Sequence, residues 1–259
     1  MMTRTLDASL ALDGKVAVVT GAAGALGVAA AVLFARRGAD VMAVDIPGAD
    51  FTPLKEAFPP ERTLLTVEAD VSLEADTAAY VAQAVETFGG IDIFFDNAGI
   101  EGAVAPITTY PLDVFRKVLD VNVVGVFLGL KHVLPVMYEQ KSGSVIVTSS
   151  VAGFIGSAGL IGYCASKHAD IGLMRTAAAE ASPQGVRVNT VNPGPIRSRM
   201  MQSIDGGRGG DPGEHALPIP SGRYGEPEEV AELVAFLASD AAAYCNGGVY
   251  CVDGGMSAV

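Results

Sequence analysis

Lys15-Val16-Ala17-Val18-Val19 runs without a break into Thr20-Gly21-Ala22-Ala23-Gly24-Ala25-Leu26-Gly27, and this junction restricts the fold more than any other stretch. A short continuous apolar run reads as a strand buried on both faces, the habit of parallel sheets. Beyond the turn, Val28 to Arg37 reads as a helix closed by Gly38, and Val41-Met42-Ala43-Val44-Asp45 as a second strand. The result is a β-turn-α-β unit of about 30 residues. Glycines at such a turn let backbone amides approach an anion, and the helix adds the positive end of its dipole, which together suit the pyrophosphate of a dinucleotide. An acidic residue roughly 20 positions further on takes the ribose hydroxyls. Asp45 stands there. The simpler reading, that the glycines only permit tight helix–strand packing, does not account for strand, helix and acid in register.

The pattern repeats, with strands expected at 63–67 and 91–95, a helix at 73–88 and a long helical region at 111–140. Further strands are expected at 145–147, 186–191 and 248–252, and a last helix at 226–239. Such alternation means a parallel sheet with helices on both faces, hence a single-domain α/β fold. Residues 1–13, polar and aperiodic, read as a flexible leader, and 14–259 as the domain. The segment 199–222 holds Gly206-Gly207-Arg208-Gly209-Gly210 and reads as a substrate lid, since long loops in compact domains are often functional.

The reacting centre is expected between Ser150 and Lys167. Tyr163 and Lys167 are four apart, so on a helix they share a face one turn apart. A cation about 4 Å from a phenol, at an effective dielectric of about 20, favours the phenolate by roughly 4 kcal/mol. A tyrosine so placed can serve as general base or acid toward a hydroxyl or carbonyl. Ser150 follows Val145-Ile146-Val147, at the carboxyl edge where open α/β sheets bind ligands, and can hydrogen-bond the same oxygen. Asp70-Val71, Asn97-Ala98-Gly99 and Pro193-Gly194 fall at that edge too, although Asp, Asn, Pro and Gly also favour ordinary turns. Asn122 interrupts an apolar helical stretch, so its amide needs buried partners, among them a backbone kink.

Composition removes other classes. Twenty-nine acidic against 17 basic residues give a net charge of −12, which argues against a nucleic-acid partner. Three cysteines without metal spacing suit a reducing compartment. The apolar run from Ala25 stops at Arg36, too short to span a bilayer. A soluble, cytoplasmic protein with no metal and no membrane partner is expected.

In this order the motifs resemble the short-chain dehydrogenase/reductase family over residues 12–257. The resemblance implies a seven-stranded Rossmann sheet, NAD as cofactor, a small-molecule substrate and a homotetramer built through the 111–140 and 160–182 regions. It implies that Ser150, Tyr163 and Lys167 are catalytic and that Asn122 helps hold a water linking the lysine to solvent. It also implies that Gly21, Gly24, Leu26, Gly27, Asp45, Asp70, Val71, Asn97, Ala98, Gly99, Pro193, Gly194, Ile196 and Ser198, with Tyr163 and Lys167, contact the cofactor. Two departures stand out: Ala25 occupies the family's middle glycine, and Ser198 replaces a frequent Thr. The expected activity is interconversion of a secondary alcohol and a ketone. The substrate walls are expected from Val151, Ala152, Phe154, Ile155, Pro195, Ile196, Met200 and Met201, mostly apolar, with Glu101 and Gly102 at the rim. The alternatives are a ketoreductase for carrier-bound acyl chains, whose docking arginines would fall at Leu128 and Ala179, and a non-catalytic NAD-binding sensor.

Overall fold

Seven apolar runs pair into one fully parallel sheet in the order β3-β2-β1-β4-β5-β6-β7. A computed structural model describes residues 8–209 and 219–258. The strands are β1 (Val16–Thr20), β2 (Asp40–Asp45), β3 (Leu64–Glu68), β4 (Ile93–Asp96), β5 (Gly143–Thr148), β6 (Val186–Pro193) and β7 (Val249–Val252). The winding reverses between β1 and β4, so a crevice opens at their carboxyl ends, where Thr20 and Asp96 finish their strands.

Both faces of the sheet are covered because the central strands are apolar along most of their length; β1 and β4 are buried throughout. On one face pack α1 (Ala25–Arg36), α2 (Thr52–Ala57) and α8 (Pro227–Ala238), with Phe34, Leu54 and Val234 fully buried. The other carries α3 (Glu74–Phe88), α5 (Gly125–Gln140) and α6 (Ile161–Ala181), with Tyr80, Val133 and Met174 in the core. The α8 helix begins sharply: Pro227 sits in its first turn and the Glu229 carboxylate accepts from the Glu226 N–H at 2.9 Å.

Four expectations change. Helix α2 carries no sequence signal because it is short and buries only Leu54. The 111–140 region is broken into α4 (Leu112–Leu119), a π-turn at Asp120–Val124, and α5. By length and composition this 112–140 rod is long and apolar enough to cross a bilayer, a possibility that the shorter run at 25–35 concealed; half of it is buried inside the fold. The leader boundary at 13 falls within packed chain, since Ala8–Leu10 form a 3-10 turn and Leu12 is buried in the core, its N–H bonded to the Arg37 carbonyl at 2.7 Å. Finally, the first half of the expected lid is α7 (Arg199–Arg208), started by the Ser198 hydroxyl accepting the Met201 N–H at 3.2 Å. A polar cap overrides the glycines that suggested a loop. Residues 210–218 of that lid, and 1–7 of the leader, lie outside the described residues.

Candidate active site

The glycine-rich turn separates glycines the fold requires from those it tolerates. Gly21 has φ of +64°, and a Cβ there would sit 2.9 Å from Ala98 Cα. At Gly27 a Cβ would fall 2.2 Å from the Gly21 carbonyl oxygen, so α1 can lie this close to β1 only with glycine. Ala25, by contrast, is the exposed first residue of α1, and its methyl displaces nothing in the fold. The first helical hydrogen bond runs from Val28 N–H to the Gly24 carbonyl, which leaves the amides of Ala25, Leu26 and Gly27 without intrahelical acceptors. They form an anion-binding helix terminus.

Asp45, half-buried at the end of β2, accepts from Ala23 N–H and Ile46 N–H, each at 2.8 Å, one on each carboxylate oxygen. This fixes the carboxylate beside the turn and leaves lone pairs for hydroxyl donors. Asp70 accepts from the Ser72 hydroxyl at 2.6 Å and the Ser72 N–H at 2.9 Å, and the hydroxyl bond holds its carboxyl below the ordinary range against the opposing effect of burial. Val71 is buried where α5 begins: a Cβ on Gly125 would lie 3.0 Å from its side chain. A crevice with a glycine cradle, free helix-end amides and an acid at β2 fits a dinucleotide.

Asn97 does more than turn the chain. Its Nδ2 donates to the carbonyls of Thr20 and Gly21, and its Oδ1 accepts from the Thr148 hydroxyl at 3.1 Å, tying β1, β4 and β5 together at the crevice. The Thr20 hydroxyl completes the clamp by accepting from the N–H groups of Asn97 and Ala98. Asn122, fully buried in the π-turn, exchanges two 2.9 Å bonds with the backbone of Ile100 and donates to the Ser166 hydroxyl at 3.0 Å. Its amide therefore pins the 97–100 loop to α6. A Cβ on Gly99 would stand 3.8 Å from Lys167 Nζ, so the loop, Asn122 and the lysine meet at one point.

Tyr163 and Lys167 lie on α6 as their spacing predicts, with Nζ 5.8 Å from the phenol ring centroid. Lys167 is buried, donating to the Thr148 carbonyl at 2.7 Å and to Asp170 Oδ2 at 2.9 Å. Burial disfavours its charge, but Asp170 and then Tyr163 outweigh this and raise its pKa, keeping the ammonium. Ser150 heads a 3-10 turn (Val151–Gly153), accepting from Ala152 N–H at 3.2 Å and donating to the Pro193 carbonyl at 3.3 Å. Gly194 is held by the Val252 carbonyl, and a Cβ there would lie 2.9 Å from Asp253 Cα. The Ser198 hydroxyl is used as the α7 cap and also donates to the Ile196 carbonyl at 3.2 Å.

Beside Tyr163, which stays half-exposed, Ala152, Leu160, Met200, Met201 and Ile204 pack into an apolar cluster with Val104. Ala152, Met200 and Met201 of the expected wall are brought there. Ile196 is not: its side chain is 5% exposed and packs in the core beneath α8. Sequence reading missed Val104, Leu160 and Ile204. Leu160 had a usable signal, standing at the N-cap of the helix of Tyr163 with its carbonyl accepting the Cys164 N–H, whereas Val104 sits in an aperiodic loop. Asp96 and Asp170 were also missed, both buried behind the lysine.

Asp96 is pushed up to about 7, chiefly by burial and then by the Asp170 carboxylate. The folded state thus holds a proton that the unfolded chain has released above about pH 4. Stability contributed by this group is full below that pH, falls as pH rises, and is gone above about 7. Its loss has a slope of at most about 1.4 kcal/mol per pH unit. Denaturant melts at pH 5, 6, 7 and 8 are expected to show that decline, flattened in Asp96→Asn.

A family model described as Enoyl-(Acyl carrier protein) reductase matches residues 21–257. Levodione reductase of Leifsonia aquatica is 42% identical over 99% of both chains. The crystal structure of levodione reductase superposes with a TM-score of 0.93 at 41% identity, covering 96% of this chain and 99% of that one. Cyclohexanol dehydrogenase of Acinetobacter sp. (strain SE19) is 35% identical over 93% of this chain and 94% of its own. The 3-oxoacyl-(acyl-carrier-protein) reductase of Thermotoga maritima is 38% identical over 95% and 98%.

Proposed function

Because the chain belongs to the short-chain dehydrogenase/reductase family, we propose that it is an NAD-dependent enzyme interconverting a hydrophobic or alicyclic secondary alcohol and its ketone. The observation that carries this reading is the apolar cluster of Ala152, Leu160, Met200, Met201 and Ile204 against a half-exposed Tyr163 that shares its helix with Lys167. Apolar walls with few polar groups select by shape and apolar area, and methionines adapt to irregular rings. The names of levodione reductase and cyclohexanol dehydrogenase, both of which act on ring compounds, support the same class.

In the proposed reaction Ser150 and Tyr163 hydrogen-bond the substrate oxygen, and Tyr163 Oη takes the hydroxyl proton on oxidation or returns it on reduction. Lys167 places a positive charge beside the phenol, and with two of its donors used on Thr148 and Asp170, a third would serve a ribose hydroxyl. A proton path to solvent past Asn122 belongs to this reading. The 21–27 turn, Asp45, Asp70 and the 97–99 and 193–198 segments would hold the nicotinamide dinucleotide, which would supply or accept the hydride when bound. Exposed Leu112, Val124 and Phe127 on the α4–α5 rod support self-association as a homotetramer. Three free cysteines, one of them exposed, suit a reducing cytoplasm.

A second reading has one supporting observation, the carrier-protein reductase relative. Against it, Leu128 is buried and Ala179 carries no charge, so the acidic carrier would find no cation at either place. A substrate screen separates the readings. Cyclic secondary alcohols are expected to exceed charged hydroxy acids and sugars in kcat/KM by at least about tenfold, a difference of about 1.4 kcal/mol. A 3-oxoacyl thioester outperforming every cyclic ketone would favour the second.

A further inference from the structure

Behind the phenol–lysine pair lies a buried acid that the proposed chemistry does not call for. Asp170 is one turn beyond Lys167 on α6, fully buried, and accepts one ammonium hydrogen at 2.9 Å. Its other oxygen, Oδ1, has no hydrogen-bond partner among the described residues, and the same holds for Oδ2 of Asp96 at the end of β4. A helix position facing a sheet core is ordinarily apolar, and a carboxylate there gives up its hydration even when one oxygen is paired with an ammonium, so an acid here calls for an account.

We infer that Asp170 is a positioning residue for the catalytic pair: its carboxylate draws Lys167 Nζ inward and offsets part of the positive charge that the ammonium presents to Tyr163, setting the pH at which the phenol works. Lys167 stands between the two, within 2.9 Å of the carboxylate and 5.8 Å from the phenol ring centroid. The opposing charges therefore act on the phenol through a shared dry region where screening is weak. Other titratable groups at this place are few. From β4, Asp96 faces the lysine and Asp170, and from α3 the buried Tyr80 faces Asp96. The turn after β5 and the π-turn contribute only neutral groups, the Ser149 hydroxyl on the Lys167 carbonyl and the Asn122 amide on Ser166. Asp170 and Asp96 are each biased by burial toward the protonated form, so the offset grows as pH rises and they ionise.

The inference rests on the proposed alcohol oxidation, and the test keeps the two apart. Asp170→Asn keeps an acceptor for Nζ without the charge, and Asp170→Leu fills the space without either. The phenolate is then more favoured, and the rising, acid-side limb of kcat/KM for alcohol oxidation is expected to move about one pH unit toward acid, giving about tenfold higher kcat/KM below the original limb. Asp170→Glu is expected to keep the original limb. A second readout needs no turnover: ultraviolet difference titration of tyrosinate, each protein against its own Tyr163→Phe partner, should show the Tyr163 phenolate forming at lower pH in the uncharged variants. Unmoved titration curves in the folded uncharged variants would overturn the inference. So would failure of both to fold while Asp170→Glu folds, since the carboxylate would then serve the fold alone. If no alcohol is oxidised by the unaltered protein, the functional reading falls and the tyrosinate titration still decides this one.

Discussion

Tyr163→Phe is expected to lower kcat by roughly 10²- to 10⁴-fold, the range for removal of a general acid–base group, while NAD affinity stays within about threefold. The separation follows from geometry. Tyr163 stands half-exposed beside the apolar cluster, whereas the cradle proposed for the dinucleotide is formed by the 21–27 turn, Asp45 and the 97–99 loop. Lys167→Met should damage both quantities, because the ammonium lies beside the phenol and within reach of the Gly99 loop that lines the crevice. Loss of its cation also strands Asp170, so stability should fall by about 3–5 kcal/mol, the usual cost of breaking a buried pair. Single-turnover kinetics reads the first, dinucleotide titration the second, and denaturant melts the third. A Phe variant retaining most of its kcat would remove Tyr163 from the proton transfer.

NAD(H) is expected to exceed NADP(H) in kcat/KM by about 10²- to 10³-fold. A phosphate on the ribose 2′ oxygen would face the Asp45 carboxylate, which is fixed beside the turn by the Ala23 N–H, and Ala22, Ala23 and Gly24 supply no compensating cation. Like charges about 4 Å apart at an effective dielectric of about 20 repel by roughly 4 kcal/mol, near three decades before screening by salt. Asp45→Ser should therefore raise kcat/KM with NADP(H) by tenfold or more and narrow the ratio. Equal efficiency with the two cofactors in the unaltered protein would place Asp45 away from the ribose.

Much of this arrangement was legible in the chain because it is carried by short-range pattern. The alternation of apolar runs and helical stretches fixes a parallel sheet, since parallel strands need crossovers and crossovers cover both faces. Gly21 and Gly27 announce a helix seated tightly on a strand, and the close contacts at both positions supply the steric reason. Tyr163 and Lys167 are joined by the helical repeat itself, which needs no knowledge of the rest of the fold.

Other features depend on which elements meet, and no period encodes that. Asn97 looked like a turn residue, and only the β1–β4–β5 arrangement makes its amide a clamp on Thr20, Gly21 and Thr148. Ile196 looked like a pocket wall beside Met200, yet its bridge to Gly225 turns the side chain into the core beneath α8. The glycines at 206 and 207 suggested a loop, but a serine cap and a favourable helical register drew them into α7. Asp96 and Asp170 are unremarkable letters in a strand and a helix. They become a buried acid pair behind Lys167 only because α6 packs on β5 and β6 beside the end of β4, and the low polarity of that interior turns their proximity into a force on the lysine. The sequence by itself determined the sheet, the cradle and the phenol–ammonium pair, all set by neighbours within a few turns of chain. The tertiary structure alone decided the charge balance behind that pair and the walls before it, because both are made of side chains that meet across separate elements.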